Sequence, residues 1–288
     1  DRENKVVLKK VQLADNAGDG HTGWLSTYYV YDDFNLLRFV IPPKAVAAAA
    51  AVNWLLTDPV VINELCFVYT YDARGRMITK KVPGAEVTEM VYDTRDRLVF
   101  SQDGNQRSLH RWLVTFYDTR NRPVMTAYYD DPAATRASLQ AGMDNAAGAN
   151  GQLSYTFPGV EDLVVASHDS RPLYQAKNSI TLESGFDSGE NGNTILEIDP
   201  SLTGGTQVTA VNNPLPGIPE NKLTPLTYTF YDDYSYTGAL SVLAADLNAP
   251  QAGGSTTAVP NTVVSKMTRG LVTGTRVRVL GTNQWLTS

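Results

Sequence analysis

The most regular feature of the chain is an alternation of apolar and polar positions on either side of a short polar turn. In residues 67–71, three aromatic side chains alternate with Val and Thr, which is typical of a β-strand. Residues 77–82 resume the β pattern after the turn. Between the two runs, Asp72 can accept backbone N–H bonds and Gly75 can adopt a positive φ. The pattern predicts a two-stranded antiparallel hairpin.

The same pattern occurs three times between residues 67 and 126. Its shared core is a Tyr-Asp pair followed, three positions after the Asp, by a turn-forming residue and then Arg; the pairs are Tyr71-Asp72, Tyr92-Asp93 and Tyr117-Asp118. Asp96 and Asn121 replace Gly75 in the second and third copies, and both residue types tolerate a left-handed backbone. A looser copy lies at 28–41, and another begins at 228–232. Since one hairpin is marginal in water, we expect neighbouring hairpins to stabilise each other.

The run Tyr-Asp-x-x-Gly-Arg followed by an apolar strand resembles the YD repeat of Rhs-family proteins. The resemblance covers residues 24–129 and resumes near residue 226. It implies a mainly β fold in which YD-repeat antiparallel hairpins form a curved extended sheet, part of a shell or spiral. Such shells enclose a C-terminal effector, often a toxin. We therefore expect an internal fragment of a bacterial protein that is secreted or held at the cell surface, with its targeting signal outside this fragment.

Outside the repeats, changes in composition predict four segments and two short helical insertions. The segments are a repeat sheet block at 1–129 with a helical insert near 44–57, a helical linker at 130–150, an inserted small β domain at 151–225, and a return to the repeat sheet at 226–288 with a flexible loop near 248–261. The first insert is rich in Ala, the best helix former. In the linker, Asp131 and Pro132 are the expected N-cap and first helical residue, with the helix at 133–147. Residues 173–183 are expected to form one strand of the small β domain.

Composition and charge exclude several classes of protein. Thirty acidic residues against twenty-four basic ones leave a net charge of -6, and without a basic block the field repels phosphate backbones. We therefore expect no nucleic-acid partner. The sequence has no apolar run of 18 or more residues, so no membrane span is expected. The single cysteine, Cys66, cannot form an internal disulfide, which excludes a disulfide scaffold.

Candidate metal ligands are too scattered to define a centre. His21, His110 and His168 are far apart in sequence, and none is followed two to four positions later by a second ligand on a plausible strand or helix, so structural roles are favoured. The acidic loops at 15–20 and 187–193 have some features of cation-binding loops. In the second, Gly189 occupies a position where a calcium loop places a ligand. Both loops are interpreted as polar turns, and no metal or cofactor is expected.

Catalytic signals are equally weak. The sequence contains no nucleophile elbow, phosphate-binding loop or dinucleotide fingerprint, and Cys66 at the start of a repeat strand is expected to be a buried, inert thiol. The turn carboxylates recur in every copy, which favours a backbone role, and the arginines that follow them are expected to pair with carboxylates of adjacent units; these are Arg76, Arg97 and Arg122. No catalytic residue is assigned, and the chain is not expected to be an enzyme.

Three functional hypotheses follow. The first is a non-catalytic scaffold whose partners are flanking repeats and an enclosed C-terminal segment of the same polypeptide. The alternative is a cell-surface carbohydrate-binding or adhesion module that uses exposed rings, with Tyr234 and Tyr236 as candidates. The third, a polysaccharide-cleaving enzyme, needs a distinct carboxylate pair. The scaffold hypothesis predicts that Tyr71, Tyr92 and Tyr117 are mostly buried and pack the repeats together.

Overall fold

A computed structural model describes residues 4–146, 148–168, 171–189, 194–212, 215, 219–239 and 267–288 of the protein. The strands are β1 (Leu8–Gln12), β2 (Trp24–Tyr31), β3 (Leu37–Ile41), β4 (Phe67–Tyr71), β5 (Met77–Lys81), β6 (Thr88–Tyr92), β7 (Leu98–Gln102), β8 (Arg111–Tyr117), β9 (Pro123–Asp130), β10 (Asn150–Pro158), β11 (Asp162–Val165), β12 (Leu173–Ala176), β13 (Ser179–Leu182), β14 (Ile195–Ile198), β15 (Thr203–Asn212), β16 (Leu223–Tyr231), β17 (Val272–Arg278) and β18 (Trp285–Thr287). The helices are α1 (Pro43–Ala51), α2 (Pro59–Leu65), α3 (Gly104–Ser108) and α4 (Arg136–Asn145), with one 3-10 turn at Glu220–Lys222. The predicted loop at 248–261 lies outside the described residues.

Most strands belong to one antiparallel sheet. Its order is β1 through β9 in chain sequence and then β16, β17 and β18, while β10 pairs with β15 and β15 also pairs with β8. The strands before and after each predicted turn are neighbours, as in the β4–β5 and β6–β7 hairpins. The predicted class, a mainly β protein built from antiparallel hairpins in an extended sheet with short helices, is confirmed.

The chain divides into two compact units. The first contains residues 1–116, 127–149 and 213–224, and the second contains residues 117–126, 150–212 and 225–288. This division differs from the four segments expected from composition because it follows spatial contacts, and the segment bounds stay a prediction. The repeat hairpins of β2 to β7 all lie in the first unit.

Aromatic packing forms the core of the first unit. Trp112 and Phe100 are buried, and their rings meet edge to face at 6.3 Å. Phe100 also packs against the buried Tyr129 at 6.2 Å. Helix α4 buries Leu139 and Met143. The alternating aromatic and aliphatic positions of the strands thus supply the buried face that the sequence pattern predicts.

Both helical insertions differ in detail from the prediction. Helix α1 fills only the first part of the insert predicted near 44–57, since it ends at Ala51 and is followed by positive φ at Asn53 (54°) and Trp54 (66°). Asp58 caps the separate helix α2, which the composition did not indicate.

The predicted N-cap at Asp131 is wrong. Thr135 caps α4 through a reciprocal bond pattern with Ser138. The carboxylate of Asp131 instead accepts bonds from the hydroxyl of Tyr129 and, at 3.1 Å, from the backbone N–H of Ala133. These partners hold Asp131 in a turn, so α4 begins at Arg136, four residues after the predicted first helical residue.

The second unit contains the long antiparallel pair β10–β15 and two short parallel pairs, β11–β13 and β12–β14. The expectation of one strand at 173–183 is wrong. The backbone N–H groups of Lys177 and Asn178 donate to the carbonyls of Val160 and Glu161, each at 2.8 Å. These bonds turn the chain between β12 and β13, so the two strands pair with different partners.

Candidate functional site

The repeated turns have one backbone geometry. In the turn after β4, the N–H of Asp72 donates to the carbonyl of Arg76 and the N–H of Gly75 donates to the carbonyl of Asp72, both at 3.0 Å. The same two bonds, at 2.9–3.1 Å, close the turns that begin at Asp32, Asp93 and Asp118. The residue at the Gly75 position has a positive φ in all four turns: Asn35 (64°), Gly75 (76°), Asp96 (61°) and Asn121 (64°). The predicted equivalence of the three main turns is confirmed.

Each turn carboxylate is occupied by its own turn. Oδ1 of Asp72 accepts the backbone N–H groups of Arg74 and Arg76, both at 2.9 Å, and Oδ2 accepts Nε of Arg76 at 2.7 Å. Asp93 and Asp118 make the same three bonds at 2.6–3.0 Å. Burial raises the pKa of Asp72, but the backbone and side-chain hydrogen bonds from Arg76 together hold that pKa below its usual value. A carboxylate bonded in this way shapes the backbone.

Three tyrosines that precede a turn Asp bind the preceding hairpin. The hydroxyl of Tyr92 donates to the carbonyl of Met77 at 2.7 Å, and that of Tyr71 donates to the carbonyl of Leu37 at 2.9 Å. In the second unit, Tyr231 donates to the carbonyl of Pro123 at 3.0 Å. Each acceptor lies five positions after the turn Asp of its own hairpin. We call this bond the hydroxyl interlock, and the sequence pattern did not reveal it.

Two of the arginines that follow a turn, Arg76 and Arg122, link that turn to the next one. Arg76 binds Asp72 of its own turn, and its Nη1 donates to the carbonyl of Asp93 at 3.1 Å and to Oδ1 of Asp96 at 3.0 Å. The guanidinium also lies over the ring of Tyr92, 5.0 Å from its centroid. This arrangement confirms the expected pairing with a carboxylate of an adjacent unit for Arg76.

Arg122 repeats the link in the second unit. It binds Asp118 at 2.7 Å, donates from Nη1 and Nη2 to the two carboxylate oxygens of Asp232 at 3.1 and 2.9 Å, and lies 4.2 Å from the ring centroid of Tyr231. The hydrogen bond from Arg122, with one from the backbone N–H of Gly270, holds the pKa of Asp232 well below its usual range.

The three tyrosines that precede the main turns are half-buried. The expectation that they pack the repeats together is confirmed for Tyr71 and Tyr92, whose hydroxyls bond a preceding hairpin and whose rings lie beneath arginines. A guanidinium on the ring face leaves little of that face for a ligand. These rings are therefore packing residues rather than open platforms.

The last repeat contains a long insertion at the position of its turn. The N–H of Asp232 donates to the carbonyl of Leu271 at 3.1 Å, and Tyr231 pairs with Val272. The strand that completes this hairpin is therefore β17, about forty positions downstream. Asp232 keeps its role in the turn through the bond from Gly270 at 2.6 Å.

The histidines occupy separate polar environments. His21 bonds the hydroxyls of Ser26 (2.9 Å) and Tyr28 (3.2 Å), and His168 bonds Thr194 (3.2 Å). The carbonyl of His110, a residue with a φ of 53°, accepts the N–H of Asp131. Within the described ranges, no three His, Cys, Asp or Glu side chains lie close enough together to hold a metal ion.

The remaining candidates are a thiol, an acidic loop and two tyrosines. Cys66 is buried, and burial raises the pKa of its thiol. The loop at 187–193 is described only to Gly189, whose N–H donates to Asp187 in a turn. Tyr236 stacks on Phe230 with ring centroids 4.1 Å apart. Only Tyr234 of the two candidate platforms is strongly exposed, at 49%.

No protein-family model matches the chain. No curated protein matches it either. Among solved structures, the chain is similar to a crystal structure of TcdB2-TccC3 without its hypervariable C-terminal region, with a TM-score of 0.34 and 11% identity over 100% of this chain and 12% of that chain. It is also similar to a crystal structure of TcdB2-TccC3-TEV (TM-score 0.30, 20% identity, 41% of this chain and 5% of that chain). A third similar structure is the Tc holotoxin pore of Photorhabdus luminescens (TM-score 0.31, 18% identity, 44% and 5%). The chain spans about an eighth or less of these proteins, and a likeness of this size carries no functional conclusion.

Proposed function

We propose that the protein is a non-catalytic scaffold, a segment of a YD-repeat shell that encloses or presents another part of the same polypeptide. The observation that carries this proposal is the hydroxyl interlock. It joins a tyrosine to the same backbone position of the preceding hairpin in three places. A bond that recurs at one register is a device for stacking units, whereas a catalytic site is built once.

The chemistry of the turns supports the same function. Asp93 is fully buried, and its carboxylate accepts two backbone N–H groups and the guanidinium of Arg97. Both oxygens of this carboxylate are occupied by donors of its own turn, and its side chain is out of reach of a substrate. It is therefore not placed to act as a general acid or base. The most conspicuous acidic residues of the chain are thus used for architecture.

The edges of the sheet support a partner that adds further strands. Strands β1 and β18 end the sheet order, and each pairs with a single strand among the described residues. Edge strands present unpaired N–H and carbonyl groups that accept another strand. We propose that flanking repeats of the same polypeptide pair with these edges and that the resulting wall surrounds a C-terminal segment, such as a toxin effector.

The proposed location is the bacterial surface or the extracellular space, as the Rhs-family resemblance implies. The net charge of -6 disfavours a nucleic-acid partner. Within the described part of the chain, no helix has the length and hydrophobicity needed to cross a membrane.

Electron cryo-microscopy of the natural full-length protein tests the proposal. We expect the hairpins of residues 24–129 to form consecutive rows of a wall, with density from another part of the polypeptide inside it. Limited trypsin digestion should leave that inner segment intact while cutting exposed loops. Hairpins in an isolated domain with both sheet edges in solvent and nothing enclosed would overturn the proposal.

A further inference from the structure

A cavity of about 650 Å³ lies within the second unit. Its wall combines residues from the end of β10, the segment before β11, strand β17 and the final hairpin, including Phe157, Glu161, Asp162, Arg276, Asn283 and Trp285. Cavities of this size hold small molecules of the dimensions of a short oligosaccharide. The repeat pattern did not indicate this cavity, and the scaffold function makes no use of it.

The distinctive wall residue is Arg276. It is 8% exposed, and its Nε is buried without a hydrogen-bond partner. Its guanidinium forms no hydrogen bond or ion pair with any residue that the structure describes. The guanidinium does make a cation–π contact with Phe157, whose ring centroid lies 4.0 Å from Cζ of Arg276. Buried arginines are ordinarily paired with carboxylates, because desolvation of an isolated charge is unfavourable. Within the described part of the chain, Arg276 is therefore a buried cation without a carboxylate partner.

A second donor lies beside it. Trp285 packs among Tyr155, Phe157 and Tyr228, with ring centroids 5.0–5.8 Å from its own. Its Nε1 is buried and has no hydrogen-bond acceptor among the described residues. The wall thus combines an aromatic surface with two residues, Arg276 and Trp285, that each have a buried N–H without an acceptor among the described residues.

The rim of the cavity is acidic and polar, unlike the cationic and aromatic wall. Glu161 and Asp162 are exposed and acidic, while Asn283 and Gln284 supply amide groups. Two carboxylates disfavour a phosphate dianion or a polyanion. They favour a ligand whose outer part offers hydroxyl donors. The required ligand thus combines one carboxylate, several hydroxyls and an apolar face that fits against aromatic rings.

We propose that this cavity binds an acidic sugar, with the sugar carboxylate on the guanidinium of Arg276. The carboxylate supplies the missing counter-ion, the ring face of the sugar packs against the aromatic wall, and its hydroxyls meet the polar rim. This binding activity is independent of the scaffold function, because none of the turns or hydroxyl interlocks of the first unit contributes to the cavity.

Isothermal titration calorimetry tests the proposal with trisaccharides that contain galacturonic, glucuronic or sialic acid, each paired with its neutral counterpart. We expect binding of at least one acidic trisaccharide and at least a tenfold weaker affinity for its neutral partner. Arg276→Gln should weaken acidic-sugar binding at least tenfold, whereas Arg269→Gln, which removes an exposed arginine outside the cavity, should leave it unchanged. Failure of all three acidic sugars, equal binding of the neutral partner, or unchanged binding by Arg276→Gln overturns the proposal.

Thermal melting separates a binding role from a structural one. Because an unpaired buried charge opposes folding, Arg276→Gln and Arg276→Met should melt at the temperature of the parent or above it. A melting temperature well below that of the parent would show that the charge of Arg276 is compensated within the fold. Tighter binding of a free amino acid than of any acidic sugar would assign the cavity to a different ligand. Either result would overturn the proposal.

Discussion

Removing the side chain of Tyr92 should loosen the contact between two hairpins. Its hydroxyl bond to Met77 is worth about 1 kcal/mol, and the cation–π contact with Arg76 adds about 0.5–1 kcal/mol. Full burial of such a ring contributes about 1.5–3 kcal/mol, so a half-buried ring contributes about 1–2 kcal/mol. Tyr92→Ala should therefore lower the free energy of unfolding by about 3 kcal/mol, and Tyr92→Phe should lower it by about 1 kcal/mol.

Urea denaturation followed by circular dichroism measures both changes. The matched control is Tyr234→Ala, since Tyr234 is strongly exposed and its truncation should change stability by less than about 0.5 kcal/mol. With a urea dependence of about 2–3 kcal/mol per M, the midpoint of Tyr92→Ala should fall by about 1 M. A midpoint equal to that of Tyr234→Ala would refute the packing role. Equal losses for Tyr92→Phe and Tyr92→Ala would show that the hydroxyl, and not the ring, joins the hairpins.

Three further outcomes follow from the turns and the core. Gly75→Ala should destabilise the protein by about 1–2 kcal/mol through its positive φ, whereas Gly142→Ala in α4, where nothing obstructs a Cβ, should stabilise it by about 0.5–1 kcal/mol in the same urea assay. Because the pKa values of Asp72 and Asp232 are lowered in the folded state, their contribution to stability is present above about pH 4 and is lost as the pH falls further. The melting temperature between pH 5 and 2 should therefore fall less steeply in Asp72→Asn than in the parent, and equal slopes would contradict this assignment. The thiol of Cys66, buried and with a raised pKa, should react with a disulfide reagent at pH 8 only after urea is added; rapid labelling of the native protein would contradict its burial.

The turns were predictable because their chemistry is local. A single Asp supplies the carboxylate that caps its own turn, and the residue at the Gly75 position supplies the positive φ. Both requirements are met within five consecutive residues, so they can be read directly from the sequence. The strands around the turns were equally readable, since alternation reports which face is buried.

The hydroxyl interlock was not predictable because its acceptor is a backbone carbonyl. Any residue type provides such a group, so neither Leu37 nor Met77 is distinguished in the sequence. Only the register between neighbouring hairpins brings the tyrosine and its acceptor together.

The cavity was not predictable from the sequence either, because its wall also depends on long-range contacts. Arg276 lies in an alternating run that is typical of a half-exposed strand. Its burial depends on Phe157, more than a hundred positions earlier in the chain. A long-range contact of this kind has no local pattern, so the sequence favoured Tyr234 and Tyr236 as binding candidates instead.

Hydrogen exchange measured by mass spectrometry on the parent and Tyr92→Ala tests most directly whether each hairpin is stabilised by its neighbour. If the interlock joins the hairpins, amide protection should fall in β6 and β7 and also in β4 and β5, where the acceptor Met77 lies. The Tyr234→Ala control should leave the protection of all four strands unchanged. Loss of protection confined to β6 and β7 would contradict a scaffold built from mutually dependent hairpins.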